Sequence, residues 1–353
     1  MMSHARYIFI KMWRRGEDRI SILPDCLLIE ILSHLPSTKD AIRTGTLSKR
    51  WKHIWTSIHS LYFNDYTHNR SAFYSFIDKT LTQRLQVKLK KFEVNTDYDT
   101  QYESQVNNWI SYAIRCNVEE LNLTLQSAEF EAEFLVDQIF FNSSCFTMLT
   151  LEGFIFNPIG VISWKNLKSL TISYGNLDED LVENILSGSP VLETLVLRYC
   201  YGYKLLDITS KSVKNLVFSE YMDPEDEFEA DIIEINAPNI LSLTIRGELL
   251  LWKLLLLNVS SLVEANLDYM NGETTPIEVE EEMFKGFILN LHHVNELKIG
   301  AFCSKVISRL EAKGFVFPSN FKFPGVAPPL YSDSRDIEKC SCLTIVLKLM
   351  GLI

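Results

Sequence analysis

From residue 89 onward one six-residue pattern keeps returning: apolar, two variable positions, apolar, one variable, apolar. It reads Leu89/Phe92/Val94, Val118/Leu121/Leu123, Phe146/Leu149/Leu151, Leu167/Leu170/Ile172 and Leu192/Leu195/Leu197. It continues as Val213/Leu216/Phe218, Ile240/Leu243/Ile245, Leu262/Ala265/Leu267 and Val294/Leu297/Ile299. The last two apolar positions of each frame are two apart, so both point to one face of a short strand. The first turns into the same core from the preceding turn. One such strand cannot bury its face alone, but parallel neighbours stacked side by side build a continuous core. Between frames the period changes to that of a helix. Residues 178–187 put Leu181, Val182, Ile185 and Leu186 on one face, with Asp178 as cap and Gly188 and Pro190 as stop. Residues 104–115 and 277–291 carry the same helical spacing, whereas 198–212 reads as a short irregular connection.

Successive frames end 21 to 32 residues apart. Nearly all these spacings fall in the range of about 20–29 residues expected for leucine-rich repeats. A sandwich of antiparallel strands needs turn signals every 8–12 residues or so, and the connections here are longer. The body is therefore predicted to be an α/β solenoid, with parallel strands on one side and helices or loops on the convex side.

Residues 16–62 lie outside this pattern. Pro24 suits a helix start, and Leu27, Leu28, Ile31, Leu32 and Leu35 form a broad apolar stripe before Pro36. Ser37 and Asp40 read as a capping box for a second helix carrying Ala41, Ile42 and Leu47, in which Gly45 is a mild liability. A third helix would carry Trp51, Ile54 and Trp55. So many apolar residues on so short a unit leave two readings: a small autonomous core, or a second surface buried against the body or another protein.

The 353 residues are ordinary in composition, 47% hydrophobic and 22% charged, which argues against wholesale disorder. The net charge of -11 divides unevenly. The first 60 residues hold ten Lys/Arg against five Asp/Glu, so +5, and the rest hold 24 against 40, so -16. That balance does not suit a nucleic-acid partner. Acidic residues gather at 220–234 and 278–282, as solvated surface or as a docking face for a basic partner. Seven scattered cysteines without a C-x-x-C pair read as reduced intracellular thiols. The N-terminus lacks the order of a secretion signal, and the apolar run 249–257 is about half a membrane span. The expected location is the nucleus, the cytoplasm or both, with no membrane partner. No Walker loop, H-E-x-x-H, G-x-S-x-G or dinucleotide fingerprint occurs, and His292-His293 lacks metal-ligand spacing. The expectation is a non-catalytic protein with no cofactor and no metal.

The run Asp18-Arg19-Ile20-Ser21-Ile22-Leu23-Pro24-Asp25, followed by Leu28, Ile31, Leu32, Ser33, Leu35 and Pro36, resembles the start of an F-box. Leu47-Ser48-Lys49-Arg50-Trp51, Trp55 and Leu61-Tyr62-Phe63 complete the pattern. With the repeats, and with stretches such as Ile235-Asn236-Ala237-Pro238-Asn239, residues 17–316 resemble plant F-box proteins with leucine-rich repeats. The resemblance implies a three-helix F-box followed by the solenoid. It divides the chain into an extension (1–15), the F-box (16–62), a linker or helical connection (63–88), the repeats (89–318) and an irregular tail (319–353). It also implies a substrate-recognition subunit of an SCF ubiquitin ligase, with a Skp-type adaptor and, through it, a cullin scaffold as partners. Adaptor contacts are expected from Leu23, Pro24, Leu27, Leu28, Ile31, Leu32, Leu35, Pro36, Leu47 and Trp51. A repeat scaffold with a degenerate F-box is the alternative.

In a strand of such repeats the variable residues line the concave face. There the sequence offers Arg198, Arg246, Asn266, Asp268 and Lys298 as candidate contacts to a protein substrate. The two arginines lead because a guanidinium binds carboxylate or phosphate through two parallel hydrogen bonds. After Phe317-Pro318 the frame is lost, and the apolar end is either a makeshift cap on the last repeat or an altered gene end.

Overall fold

The computed structural model describes residues 20, 23–65, 69–126, 134–221, 232–249, 253–271, 275–318 and 321–322. They fall into two compact units divided between Leu61 and Tyr62.

The first unit holds three short helices, α1 (Asp25–Ser33), α2 (Thr38–Arg43) and α3 (Trp51–Ile54), with 3-10 turns at Thr44–Thr46 and Trp55–Ser57. Pro24 caps α1, its carbonyl accepting from the Leu27 and Leu28 amides at 3.0 and 3.2 Å. Ser37 caps α2 by accepting from the Lys39 amide at 3.0 Å. Asp40, the expected second half of the capping box, is engaged by Arg43 at 3.0 Å. Gly45 falls in the 3-10 turn after α2 ends, so its poor helix propensity costs that helix nothing. Leu28, Leu32, Leu35, Ala41, Trp51, Ile54, Trp55 and Ile58 are buried. The Ser33 hydroxyl accepts from the His59 amide at 2.9 Å, which ties the end of α1 to the end of the unit.

The second unit is built on one eleven-stranded sheet in the order β1-β2-β3-β5-β7-β8-β10-β12-β14-β15-β16. Its strands are β1 (Ser60–Asn64), β2 (Lys91–Asp97), β3 (Glu120–Gln126), β5 (Met148–Glu152), β7 (Ser169–Ser173), β8 (Thr194–Arg198), β10 (Asn215–Ser219), β12 (Ser242–Leu249), β14 (Glu264–Asn271), β15 (Glu296–Ile299) and β16 (Phe321–Lys322). From β2 to β16 every pairing is parallel, as stacked repeats require. The register keeps the middle apolar position of all nine frames in one row, from Phe92 opposite Leu121 through to Ala265 opposite Leu297. All three apolar positions of every frame are at most 3% exposed. The sheet also exceeds the frames at both ends. β1 precedes the first frame, and β16 pairs beyond the last one, in a segment where the sequence predicts irregular chain.

The connections cover the sheet's apolar face. Helices α4 (Arg70–Gln83) and α5 (Glu103–Arg115) pack together, with the Trp109 indole donating to Asp78 at 2.7 Å and its ring 4.8 Å from Tyr74. Helix α6 (Glu179–Gly188) starts at Asp178, whose carboxylate accepts from the Leu181 amide at 2.7 Å. It stops at Gly188, where a Cβ would stand 2.2 Å from the Ile162 carbonyl oxygen. Helix α7 (Ile277–Asn290) and helix α8 (Ser304–Ala312) complete the set.

The 198–212 connection is more regular than its sequence suggests. It holds β9 (Leu205–Asp207), which joins β11 (Ile232–Asn236) and β13 (Lys253–Leu257) in a second parallel sheet, while β4 (Phe134–Leu135) pairs with β6 (Phe154–Ile155). The apolar run 249–257 thus ends in a strand that buries Leu254 and Leu256. No helix among the described residues is long and apolar enough to cross a membrane. Residues 222–231 of the acidic stretch and most of the expected tail lie outside the described residues.

Candidate interaction surfaces

In the first unit the residues expected to meet an adaptor separate into two layers. Leu28, Leu32, Leu35 and Trp51 are core, at most 7% exposed. Pro24, Leu27 and Leu47 are exposed, and Leu23, Ile31 and Pro36 are intermediate. Leu27 and Leu47 each leave about half their surface to solvent, 49% in both cases. Large apolar side chains held outward on an element whose core is already filled are candidates for a protein contact. Arg50 fixes the entrance to α1. Its guanidinium donates to Asp25 at 2.8 and 2.5 Å and also reaches the Leu23 carbonyl. Lys39, Lys49 and Lys52 add exposed positive charge to the same unit.

On the second unit the expected contacts lie on the sheet face away from the core. Arg198, Arg246 and Lys298 are exposed, and Asn266 and Asp268 are half-buried. The register puts Glu152, Ser173, Arg198, Ser219, Arg246 and Asp268 in one row across six strands. Asn266 and Lys298 are partners in the adjacent row. Several of these groups are already occupied. Asp268 accepts from the Phe302 amide at 3.1 Å and lies where a Cβ on Gly300 would go. Lys298 is 3.7 Å from Glu296. Arg198 and Arg246 have no ion-pair partner among the described residues.

Next to this row lies a feature that the sequence reading missed. Immediately after β5, β7, β8, β10, and within β12, the backbone enters the left-handed region, at Gly153, Tyr174, Tyr199, Glu220 and Gly247, with φ between 51° and 81°. The first four donate their amides to the backbone carbonyl of the row residue on the next strand: Gly153 to Ser173, Tyr174 to Arg198, Tyr199 to Ser219 and Glu220 to Arg246, at 2.9–3.4 Å. Glycine is the default residue for this geometry. The tyrosines instead stack on each other, with centroids 4.5 Å apart and planes 6° from parallel. Tyr174 stays 42% exposed. Burial, followed by the Glu220 carboxylate, pushes the Tyr199 phenol above its ordinary pKa; burial, followed by Glu152, does the same at Tyr174. The signal was present in the sequence: glycine at the same step after two frames, 153 and 247, marks a position that needs positive φ.

Among the described residues of the rest of the body, the titratable and nucleophilic groups do not gather into a reactive centre. Burial pushes the Cys200 and Cys303 thiols up to about 12, so neither is a thiolate at neutral pH. The five described cysteines are all free. No group of three metal-ligating side chains occurs among the described residues, and one ring nitrogen each of His292 (Nδ1) and His293 (Nε2) is engaged by the Leu289 and Val259 carbonyls. A hollow of about 850 Å³ at the opposite edge of the sheet is lined by Lys88, Asn117, Glu119, Asn142 and Lys168 among others, and its Lys88 and Glu119 pair at 2.6 Å.

Comparison with known proteins agrees with both units. Residues 20–62 match the F-box domain family, and residues 80–283 match the At1g61320/AtMIF1 LRR domain family. The chain is 31% identical to the putative F-box/LRR-repeat protein At3g18150 of Arabidopsis thaliana, over 97% of this chain and 75% of that one. It is 34% identical to the Arabidopsis F-box/LRR-repeat protein At5g02910, over 86% of this chain and 64% of the relative, and 34% identical to the Arabidopsis F-box protein At5g03100, over 86% and 95%. With a helical head that matches one family and stacked parallel strands that match the other, the chain belongs to the F-box/leucine-rich-repeat proteins of plants.

Proposed function

We propose that this chain is the substrate-recognition subunit of an SCF-type ubiquitin ligase. The F-box docks on a Skp-type adaptor, through it on a cullin, and the repeats hold a protein substrate. The observation that carries the reading is the outward placement of Leu27 and Leu47 on a module whose core is filled by other residues. Pro24, Leu27 and Leu47, flanked by Leu23, Ile31 and Pro36, form the adaptor contact. Leu28, Leu32, Leu35 and Trp51 hold it in shape from beneath. The exposed lysines suit an acidic partner, raising the encounter rate more than the final affinity. The subunit works without a catalytic group of its own. Holding a substrate close to a charged carrier raises the effective concentration of the reacting partners.

The test is co-purification of the full chain with a Skp-type adaptor. Leu27→Asp and Leu47→Asp place a charge in the contact without touching the core, so each lowers adaptor affinity at least about ten-fold, the loss of roughly 1.4 kcal/mol or more typical of a central contact residue. Both variants keep the parent thermal midpoint. If the parent chain does not hold the adaptor, or both variants hold it as well as the parent, the ligase reading fails and the repeat scaffold with a degenerate F-box takes its place.

A further inference from the structure

Deepening the receptor reading, on which it rests, we infer that the end of the open sheet face over β7–β12 is a binding site for an extended peptide. The peptide carries an anionic side chain, carboxylate or phosphate, with an aromatic or apolar residue within about three positions. The anion goes to the arginines. Arg198 and Arg246 occupy one register row with Ser219 between them, so their backbones are two strand spacings apart, roughly 9–10 Å. Both side chains are exposed, and neither has an ion-pair partner among the described residues. Two guanidinium forks at that separation can converge on one anionic group.

The neighbouring residue goes to the tyrosines. Tyr174 and Tyr199 lie one step beyond the row and form a flat, nearly parallel pair, in which Tyr174 is exposed and Tyr199 half-buried. Glu220 stands at the same step of the next strand, and its carboxylate is near enough to the Tyr199 phenol to help raise the phenol's pKa. The chain keeps two bulky residues in a backbone geometry that glycine takes at the same step in two other repeats. Backbone strain retained at Tyr174, an exposed position, points to function. A free small anion would need only the arginines; an arginine pair beside an aromatic platform fits a peptide, whose residues advance about 3.3 Å each when extended.

The experiment presents the full chain, co-purified with its adaptor, to an immobilised library of ten-residue peptides. The central residue is phosphoserine, glutamate or serine, and the flanking positions are varied. Phosphoserine or glutamate peptides are enriched at least ten-fold over serine, with an aromatic or apolar residue at a fixed offset. Comparing the two anionic arms tells phosphate from carboxylate. Arg198→Gln and Arg246→Gln each lower that binding ten-fold or more, and Arg198→Lys restores part of it. Tyr174→Gly and Tyr199→Gly abolish the aromatic preference but keep the anionic one. If the anionic peptides are not preferred, or the arginine variants bind as the parent does, the site is refuted. Adaptor retention is read on the same samples. A chain that keeps its adaptor but shows no anionic preference loses only the site. One that selects the peptides without holding an adaptor keeps the site and loses the ligase reading.

Discussion

Tyr174, Tyr199 and Glu220 stand where the backbone turns left-handed at the ends of three consecutive strands. For an L residue with a side chain that geometry costs about 1–2 kcal/mol. The aromatic stack returns about 0.5–1.5 kcal/mol beyond its buried area. The two terms nearly cancel, so Tyr174→Gly changes stability by no more than about 1 kcal/mol. Leu195 lies only a few residues before Tyr199 but is 3% exposed, in the middle position of its frame. Leu195→Ala therefore costs about 2–5 kcal/mol through lost burial and the cavity left behind. Urea unfolding of the two variants beside the parent chain checks the contrast. A Tyr174→Gly loss as large as that of Leu195→Ala would show the tyrosine to be a packing residue.

Two helices at the far end of the second unit are joined by charge. Glu281 on α7 is 3% exposed, and it is met by Lys313, just past α8, at 2.6 Å and by Arg309 on α8 at 3.3 Å. Arg309 also reaches Glu280. The hydrogen bond from Lys313, with Arg309 beside it, holds the Glu281 carboxyl below its ordinary pKa. A carboxyl depressed by folding stabilises the native state fully above its unfolded pKa, and that contribution is lost as pH falls toward the folded value. Glu281→Gln is accordingly less stable than the parent at pH 7, and the gap narrows as pH drops through the carboxylate range. Urea midpoints measured from pH 7 to pH 3 decide it, since the other acids cancel in the difference. A gap that stayed constant with pH would mean that shape, not charge, joins the helices. The sequence placed 278–282 as solvated surface or docking face because the cations that meet it lie 28–32 residues further along.

At the scale of the whole molecule the sheet ties each repeat chiefly to its two neighbours. β10 pairs with β8 and β12, in register along all five residues on both sides. An array of this kind has stability that adds up from repeats and nearest-neighbour interfaces. Phe218→Ala in β10 thus lowers amide-exchange protection first in β8 and β12 and leaves β2 and β3 protected at parent levels. Loss of protection spread evenly along the sheet would instead indicate a single cooperative block. The same additivity lets the strand edge over β7–β12 carry strained residues, because the frames on either side supply their own core.

The sequence by itself determined the repeat and its buried residues. These follow from a local rule, apolar side chains at fixed short spacing, that each frame obeys alone: Leu192, Leu195 and Leu197 identify their strand without reference to any other part of the chain. It also marked the helical head through a local pattern of leucines, prolines and tryptophans. Tertiary structure decided which of those head residues face outward, since Leu27 and Leu28 are equally apolar neighbours and only packing separates exposed from core. It decided that Asp268 is committed to the Phe302 amide, while Arg198 and Arg246 have no ion-pair partner among the described residues. It brought Tyr174 against Tyr199, 25 positions apart, because stacking one repeat on the next turns a long separation along the chain into a 4.5 Å contact.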